Sequence, residues 1–331
     1  MFSIFFAGTG YDKRGIPGSP IRILYKIQEH LDILTSNGCH VTIHLNEFEP
    51  NNRNQSKFKL LKQSCQTFIE EKTQLKQKIT IEYYNEDFEI LFPKLLPLID
   101  QVPALVFLDQ NGIKFLSAKY FLELEKTRQT DFLYFVSSSY IWRFGERREF
   151  KLHLDIDMAQ IRKKQYHKIH RSITEQIRNK LPADSRLKLY PFSLKKGANI
   201  HGIIFGATHP RAVDKFLSIA WKTNEVNGDA NFDIDDEASK CQLNMFETPK
   251  PSKIAAFQME LEKQILSGSI TNNLEALNFT FENGHIPKHA RDCVTRLKKF
   301  GKIDYNDKTP CISYNLVYKE QKLVPYSLLK R

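Results

Sequence analysis

Residues 3–10 read Ser3-Ile4-Phe5-Phe6-Ala7-Gly8-Thr9-Gly10, and Ser19-Pro20 follow nine residues later. A short apolar run that ends in small residues and then meets a helix start is the opening of a strand–loop–helix unit. Serine as N-cap with proline at the first helical position predicts a helix from Ser19 to about Ser36, closed by Asn37-Gly38. The same alternation continues outward. Strands are expected at Val41–Leu45, Ile79–Tyr84, Ala104–Leu108 and Phe132–Val136, with helices at about Ser56–Lys72, Phe88–Ile99 and before Asp131. Ala104–Leu108 is continuously apolar, as a strand buried on both faces requires. The order predicts an α/β fold, a doubly wound parallel sheet with helices on both faces.

The chain has 331 residues, 41% hydrophobic and 26% charged, which fits a globular protein. No apolar run approaches the length of a membrane helix, so no membrane partner is expected. The apolar start lacks a basic leader, which argues against a signal peptide. Five cysteines, widely spaced and without a CxxC pair, argue against a disulfide framework or zinc site and fit a reducing cytoplasm. With 49 basic and 38 acidic residues the net charge is +11, which favours an acidic partner, nucleic acid (DNA or RNA) first.

Residues 145–200 hold 14 basic and 6 acidic residues and include an expected basic helix, Met158–Leu181. Leu187–Phe192 and Ile200–Ala207 read as two late strands closing a sheet edge, and Pro210–Asn224 as a helix. Residues 226–251 are acidic and end in Pro249-Lys250-Pro251, the composition of a linker. Helices at about Ser252–Leu266, Asn272–Glu282 and Pro287–Phe300, then short strands at Gly301–Ile303 and Cys311–Tyr314, follow the winged helix-turn-helix plan. The expected domains are therefore 1–225, a linker 226–251, and 252–331.

Acidic residues follow successive strands: Glu47 or Glu49 after the second, Asp87 after the third, Asp109 after the fourth. Parallel sheets bind ligands at the carboxyl ends of their strands, and an acid after the second strand can accept from ribose hydroxyls. This layout resembles a Rossmann-like class I S-adenosylmethionine methyltransferase. The motifs resemble more closely the three-Cys-motif partner family (TcmP). They are FFAGTGYDKRGIPGSP at 5–20, LNEFEP at 45–50, NEDF at 85–88, FLDQNGIKF at 107–115, DFLYFVSSSYIWRF at 131–144 and HGIIFGATHPRAVDKFLSIAW at 201–221.

The resemblance implies a methyltransferase-like domain that binds S-adenosylmethionine. It implies action on or near nucleic acid in bacterial phage defence, and a three-Cys-motif protein as a possible partner. Ala7, Gly8 and Gly10 match the cofactor loop, and Gly18, Ser19 and Pro20 the following helix start. Glu47 matches the ribose-binding acid, Asp87 the adenine-side acid, Asp109 the strand-four acid and Gly112 a turn glycine. Relatives carry an acid early in strand one, where this chain has Ile4. That difference supports the alternative, a non-catalytic binding module with a degenerate cofactor site.

Asp109-Gln110-Asn111-Gly112 lacks the Pro-Pro-aromatic of amino-methyltransferases, so the motif does not support base N-methylation. For methyl transfer of another kind Asp109 is the catalytic candidate, orienting the substrate or acting as base. A nuclease reading with Asp87, Asp109 and a metal lacks a close ligand partner in sequence. His167 and His170 read as a solvated helix face rather than a metal pair, and no metal is expected. The nucleic-acid candidates are Arg143, Arg147, Arg148, Lys163 and Lys164, with Lys288, Arg291 and Lys298 on the helix at the recognition position and Lys302 on the wing.

Overall fold

The computed structural model describes residues 1–50, 56–109, 115–147, 156–163, 166–197, 199–236 and 251–329. The strands named first are β1 (Phe2–Phe5), β2 (Val41–Asn46), β3 (Ile79–Tyr84), β4 (Ala104–Leu108) and β5 (Thr130–Ser137). They run parallel, and together with β6 (Lys188–Lys196) and β7 (Asn199–Ala207) they form a seven-stranded sheet in the order β3-β2-β1-β4-β5-β7-β6. The fold is thus the mixed α/β, mostly parallel architecture read from the sequence, compatible with a Rossmann-like sheet.

Alternation along β1 shows why helices cover both faces. Ile4 packs into a core with Ile21, Leu24 and Ile27 of α1 (Ser19–Glu29) and Leu61, Cys65 and Phe68 of α3 (Ser56–Glu70). The next residue, Phe5, points the other way, 5.0 Å from Phe88 and 5.8 Å from Phe92 of α5 (Phe88–Gln101). Successive strand residues face opposite sides, and both sides here are apolar. β1 lies between β2 and β4, so the strand order reverses there. Crevices of this kind open at the carboxyl end of the sheet.

Several local expectations need correction. The N-cap of α1 is Gly18, with no side-chain capping bond, and Ser19 is already helical. The helix breaks at His30, and α2 (Leu31–Ser36) continues after it. Two further helices of this region are α4 (Thr73–Lys76) and α6 (Ala118–Glu125), and α7 (Ser138–Phe144) follows β5. The basic helix expected at 158–181 is two helices, α8 (Met158–Arg162) and α9 (Ile169–Arg178), with a 3-10 turn at Tyr166–Lys168. His170 is fully buried, with Ser193 Oγ 2.6 Å from its Nε2, and so does not lie on a solvated face.

The chain divides into two compact units. The first comprises 1–163, 175–187 and 203–208; the second comprises 164–174, 188–202 and 209–331. In the second, α10 (Pro210–Thr223), α11 (Lys253–Leu266), α12 (Asn273–Glu282) and α13 (Pro287–Lys299) precede a two-stranded antiparallel pair, β8 (Ile303–Asp304) with β9 (Ser327–Leu328). Cys311–Tyr314 is not a strand: Cys311 takes φ +51° and a π-helical turn, Asn315–Lys319, follows. The described part of the acidic stretch is packed rather than loose. Arg171 holds Asp229 and Asp235 at 2.8 Å each, and Lys253 reaches Asp229 at 2.7 Å.

Candidate functional site at the carboxyl ends of the first, second and fourth strands

The chain leaves β1 through an unusual backbone. Phe6, Gly8 and Gly10 all adopt positive φ, at 66°, 72° and 87°. The two glycines are required for different reasons. A Cβ on Gly10 would lie 2.7 Å from Ser64 Cβ, so a helix of the first unit presses on it. A Cβ on Gly8 would meet no described atom within 4 Å, so there the left-handed backbone alone asks for glycine. The loop is tied down on both sides. Ala7 N–H donates to Asn46 O at 2.8 Å, Ser64 Oγ to Thr9 O at 3.0 Å, and Gly18 N–H to Gly10 O at 2.7 Å.

Glu47 follows β2 and is only 8% exposed. Its Oε2 accepts Gly8 N–H at 2.7 Å, which fixes the acid against the glycine loop. Its Oε1 accepts no hydrogen bond among the described residues. Asp109 follows β4, and its N–H donates to Phe5 O at 3.3 Å. Burial first, and then the charge of Glu47, push the Asp109 carboxyl up to about 6. The structure therefore brings Gly8, Glu47 and Asp109 to one place, at the reversal of strand order.

Other candidates are engaged elsewhere. Asp87 is the N-cap of α5, accepting Glu89 N–H at 2.8 Å. Glu49 accepts Phe58 N–H at 3.0 Å near the start of α3, which leaves Glu47 as the acid of the loop. Ala7 is buried under the loop, and Ser19 is half-buried in the first turn of α1. Gln110, Asn111 and Gly112 lie outside the described residues.

Two features escaped the sequence reading. Asn46, 1% exposed, clamps the loop after β3: its Nδ2 donates to Glu86 O at 3.0 Å and its Oδ1 accepts Glu86 N–H at 3.1 Å. Its signal was a lone amide closing an apolar strand. The second is aromatic. Phe6 stacks on Phe115 at 5.7 Å, and Phe88 lies 5.7 Å from Phe6 and 4.6 Å from Phe115. Phe6 and Phe115 follow β1 and β4, and Phe88 opens α5 after β3, so these rings gather at the same end of the sheet as the carboxylates.

The nucleic-acid candidates are dispersed. Arg143, Arg147 and Lys163 are exposed, and Arg148 and Lys164 lie outside the described residues. Arg147 stacks on Phe144 and Arg162 on Trp142, each at 4.4 Å, so these aromatics carry cations of their own chain. On α13, Lys298 pairs with Asp304 at 2.8 Å and donates to Tyr305 O at 2.6 Å. Lys302 pairs with Glu262. Arg291 donates to Ile312 O at 2.9 Å, and Lys288 is exposed without an ion pair among the described residues. No cluster of three or more His, Cys, Asp or Glu among the described residues is placed to hold a metal ion. No helix among them is long and apolar enough to cross a membrane.

Comparison of the chain with models of protein families and with curated proteins returns no match.

Proposed function

We propose that this is a methyltransferase-like protein of the three-Cys-motif partner kind. It binds S-adenosylmethionine at the carboxyl ends of β1, β2 and β4 and acts on or near nucleic acid in phage defence. The observation that carries the reading is the bond from Gly8 N–H to the Glu47 carboxylate, with Asp109 electrostatically coupled beside it. The residues fit the cofactor on their own chemistry. Gly8 offers backbone with no described atom within 4 Å of where a Cβ would stand, and Glu47 Oε1 retains acceptor capacity for a ribose hydroxyl. The half-buried Phe6 ring, backed by the buried Phe88 and Phe115, borders the same loop.

S-adenosylmethionine supplies an electrophilic methyl group. Gly8 and Glu47 would hold its ribose and amino-acid parts in place. Asp109, whose carboxyl is pushed up to about 6, is ionised but basic at neutral pH, so it can accept a proton from a bound substrate. Positioning would supply most of the remaining acceleration.

One observation favours the non-catalytic alternative. Ile4, where relatives carry an acid, is 1% exposed and locked into the apolar core. Thermal unfolding with and without S-adenosylmethionine separates the two. A raised midpoint with the cofactor supports the first reading, and an unchanged midpoint supports the module.

A further inference from the structure

The described cations of the second unit differ in what answers their charge. Lys168, Arg171, Lys188, Lys253, Arg296, Lys298, Lys302 and Lys322 all pair with acids of their own chain. Arg211 and Lys215 of α10, Lys288 of α13 and Lys319 of the π-helical turn make no ion pair among the described residues, and all four are exposed. They line one groove of about 440 Å³, together with Arg291. Lys195, Lys196, Lys222, Lys299 and Lys308 are also exposed without an ion pair among the described residues, but do not line this groove. Asp214 is the single acid on the groove wall; burial raises its carboxyl, and the neighbouring Lys215 and Arg291 lower it. Five cations against one acid leave a net positive charge in a concavity, which focuses a positive potential there.

We propose that this groove binds the phosphodiester backbone of a single nucleic-acid strand. The inference rests on the nucleic-acid part of the functional reading and is independent of the cofactor part. Concavity favours a single strand, since a duplex is read by an element that protrudes into its own groove. The volume lies in the range of sites that hold one small ligand, roughly 300–1,000 Å³, enough for a nucleotide unit at a time. Tyr314 belongs to the groove wall, 5.6 Å from the ring of Tyr318 in a stacked pair, and offers a face on which a base can stack. Of the four candidates expected on the recognition helix and wing, Lys298 and Lys302 are held by Asp304 and Glu262, whereas Lys288 and Arg291 line this groove.

The test is fluorescence anisotropy with labelled single-stranded DNA and RNA 12-mers and the matching duplex, across a salt series. The full chain is compared with Arg211→Ala/Lys319→Ala and with Lys299→Ala/Lys308→Ala, which removes equal charge from α13's last turn and the loop beyond β8. The groove variant should bind single strands at least ten-fold more weakly, with a salt slope smaller by roughly 0.7 per lost phosphate contact. The control should change less than two-fold. Equal loss in both variants, or duplex bound more tightly than single strand, overturns the groove while leaving nucleic-acid binding standing. Inorganic phosphate or a mononucleotide competing as well as the 12-mer shows a small-anion site and also overturns it. Failure of the unaltered chain to bind any oligonucleotide removes the nucleic-acid part of the functional reading itself.

Discussion

Replacing Asp109 by asparagine removes a charge that the fold holds at a cost. Burial and the neighbouring Glu47 push its carboxyl from an ordinary 3.8 up to about 6. At roughly 1.36 kcal/mol per pH unit, that shift amounts to about 3 kcal/mol. Partial solvent exposure lowers the expected effect to about 1–2 kcal/mol. The sign follows from proton binding. Between about pH 4 and 6 the native state retains a proton that the unfolded chain has lost, so stability falls as pH rises through that window. Above it the full cost applies. Asparagine keeps the shape and cannot ionise, so Asp109→Asn should be more stable than the parent by about 1–2 kcal/mol at pH 7.5, and by about half of that at pH 5. Urea unfolding of both proteins at the two pH values measures the gap directly. A variant less stable at pH 7.5, or a gap that does not change with pH, would refute the electrostatic coupling of Asp109 to Glu47 and the burial behind it.

Other outcomes follow from the same structure. Gly10→Ala places a methyl 2.7 Å from Ser64 Cβ at φ +87°, and should cost about 1–3 kcal/mol in chemical denaturation, partly recovered by Ser64→Gly. Burial lowers His170 to about 3, and lowers His289 to about 4, where it shares a 3.0 Å bond with His285. Their folded values lie below the unfolded 6.5, so the stability present above that value is lost as pH falls from 6.5 towards 4. Each should contribute about 1.4 kcal/mol per pH unit there, and His170→Gln should flatten the profile measured by urea titration. Asn46→Ala removes both bonds to Glu86 and should raise amide exchange at Glu86 more than at Ile43 in the middle of β2.

The parallel strands were readable as short runs rich in apolar, β-branched and aromatic residues between helical segments; Ala104–Leu108, the continuously apolar one, fell where expected. Contacts distant in sequence were not readable. Nothing local distinguishes Glu47 from Glu49, and only the 2.7 Å bond across 39 residues to Gly8 decides between them. Asp87 looked like a site residue and serves as a helix cap, since aspartate before a helix satisfies both patterns. Met158–Leu181 read as one basic helix, and composition showed neither the 3-10 turn at Tyr166–Lys168 nor the burial of His170 against Ser193. The cations of α13 and the wing read as a recognition surface, but charge composition cannot show that Lys298 of the helix and Lys302 beyond it are matched by Asp304 and Glu262. Of the groove cations, Lys288 and Arg291 were legible on the third helix of the C-terminal region, whereas Arg211, Lys215 and Lys319 were missed because they lie far from it in sequence.

Calorimetric titration of S-adenosylmethionine into the full chain, Glu47→Ala and Glu49→Ala addresses the site most directly. Saturable binding to the parent and to Glu49→Ala, weakened at least ten-fold in Glu47→Ala, is what the glycine-loop carboxylate requires. No heat of binding to the folded parent, or equal affinity in all three proteins, would contradict it.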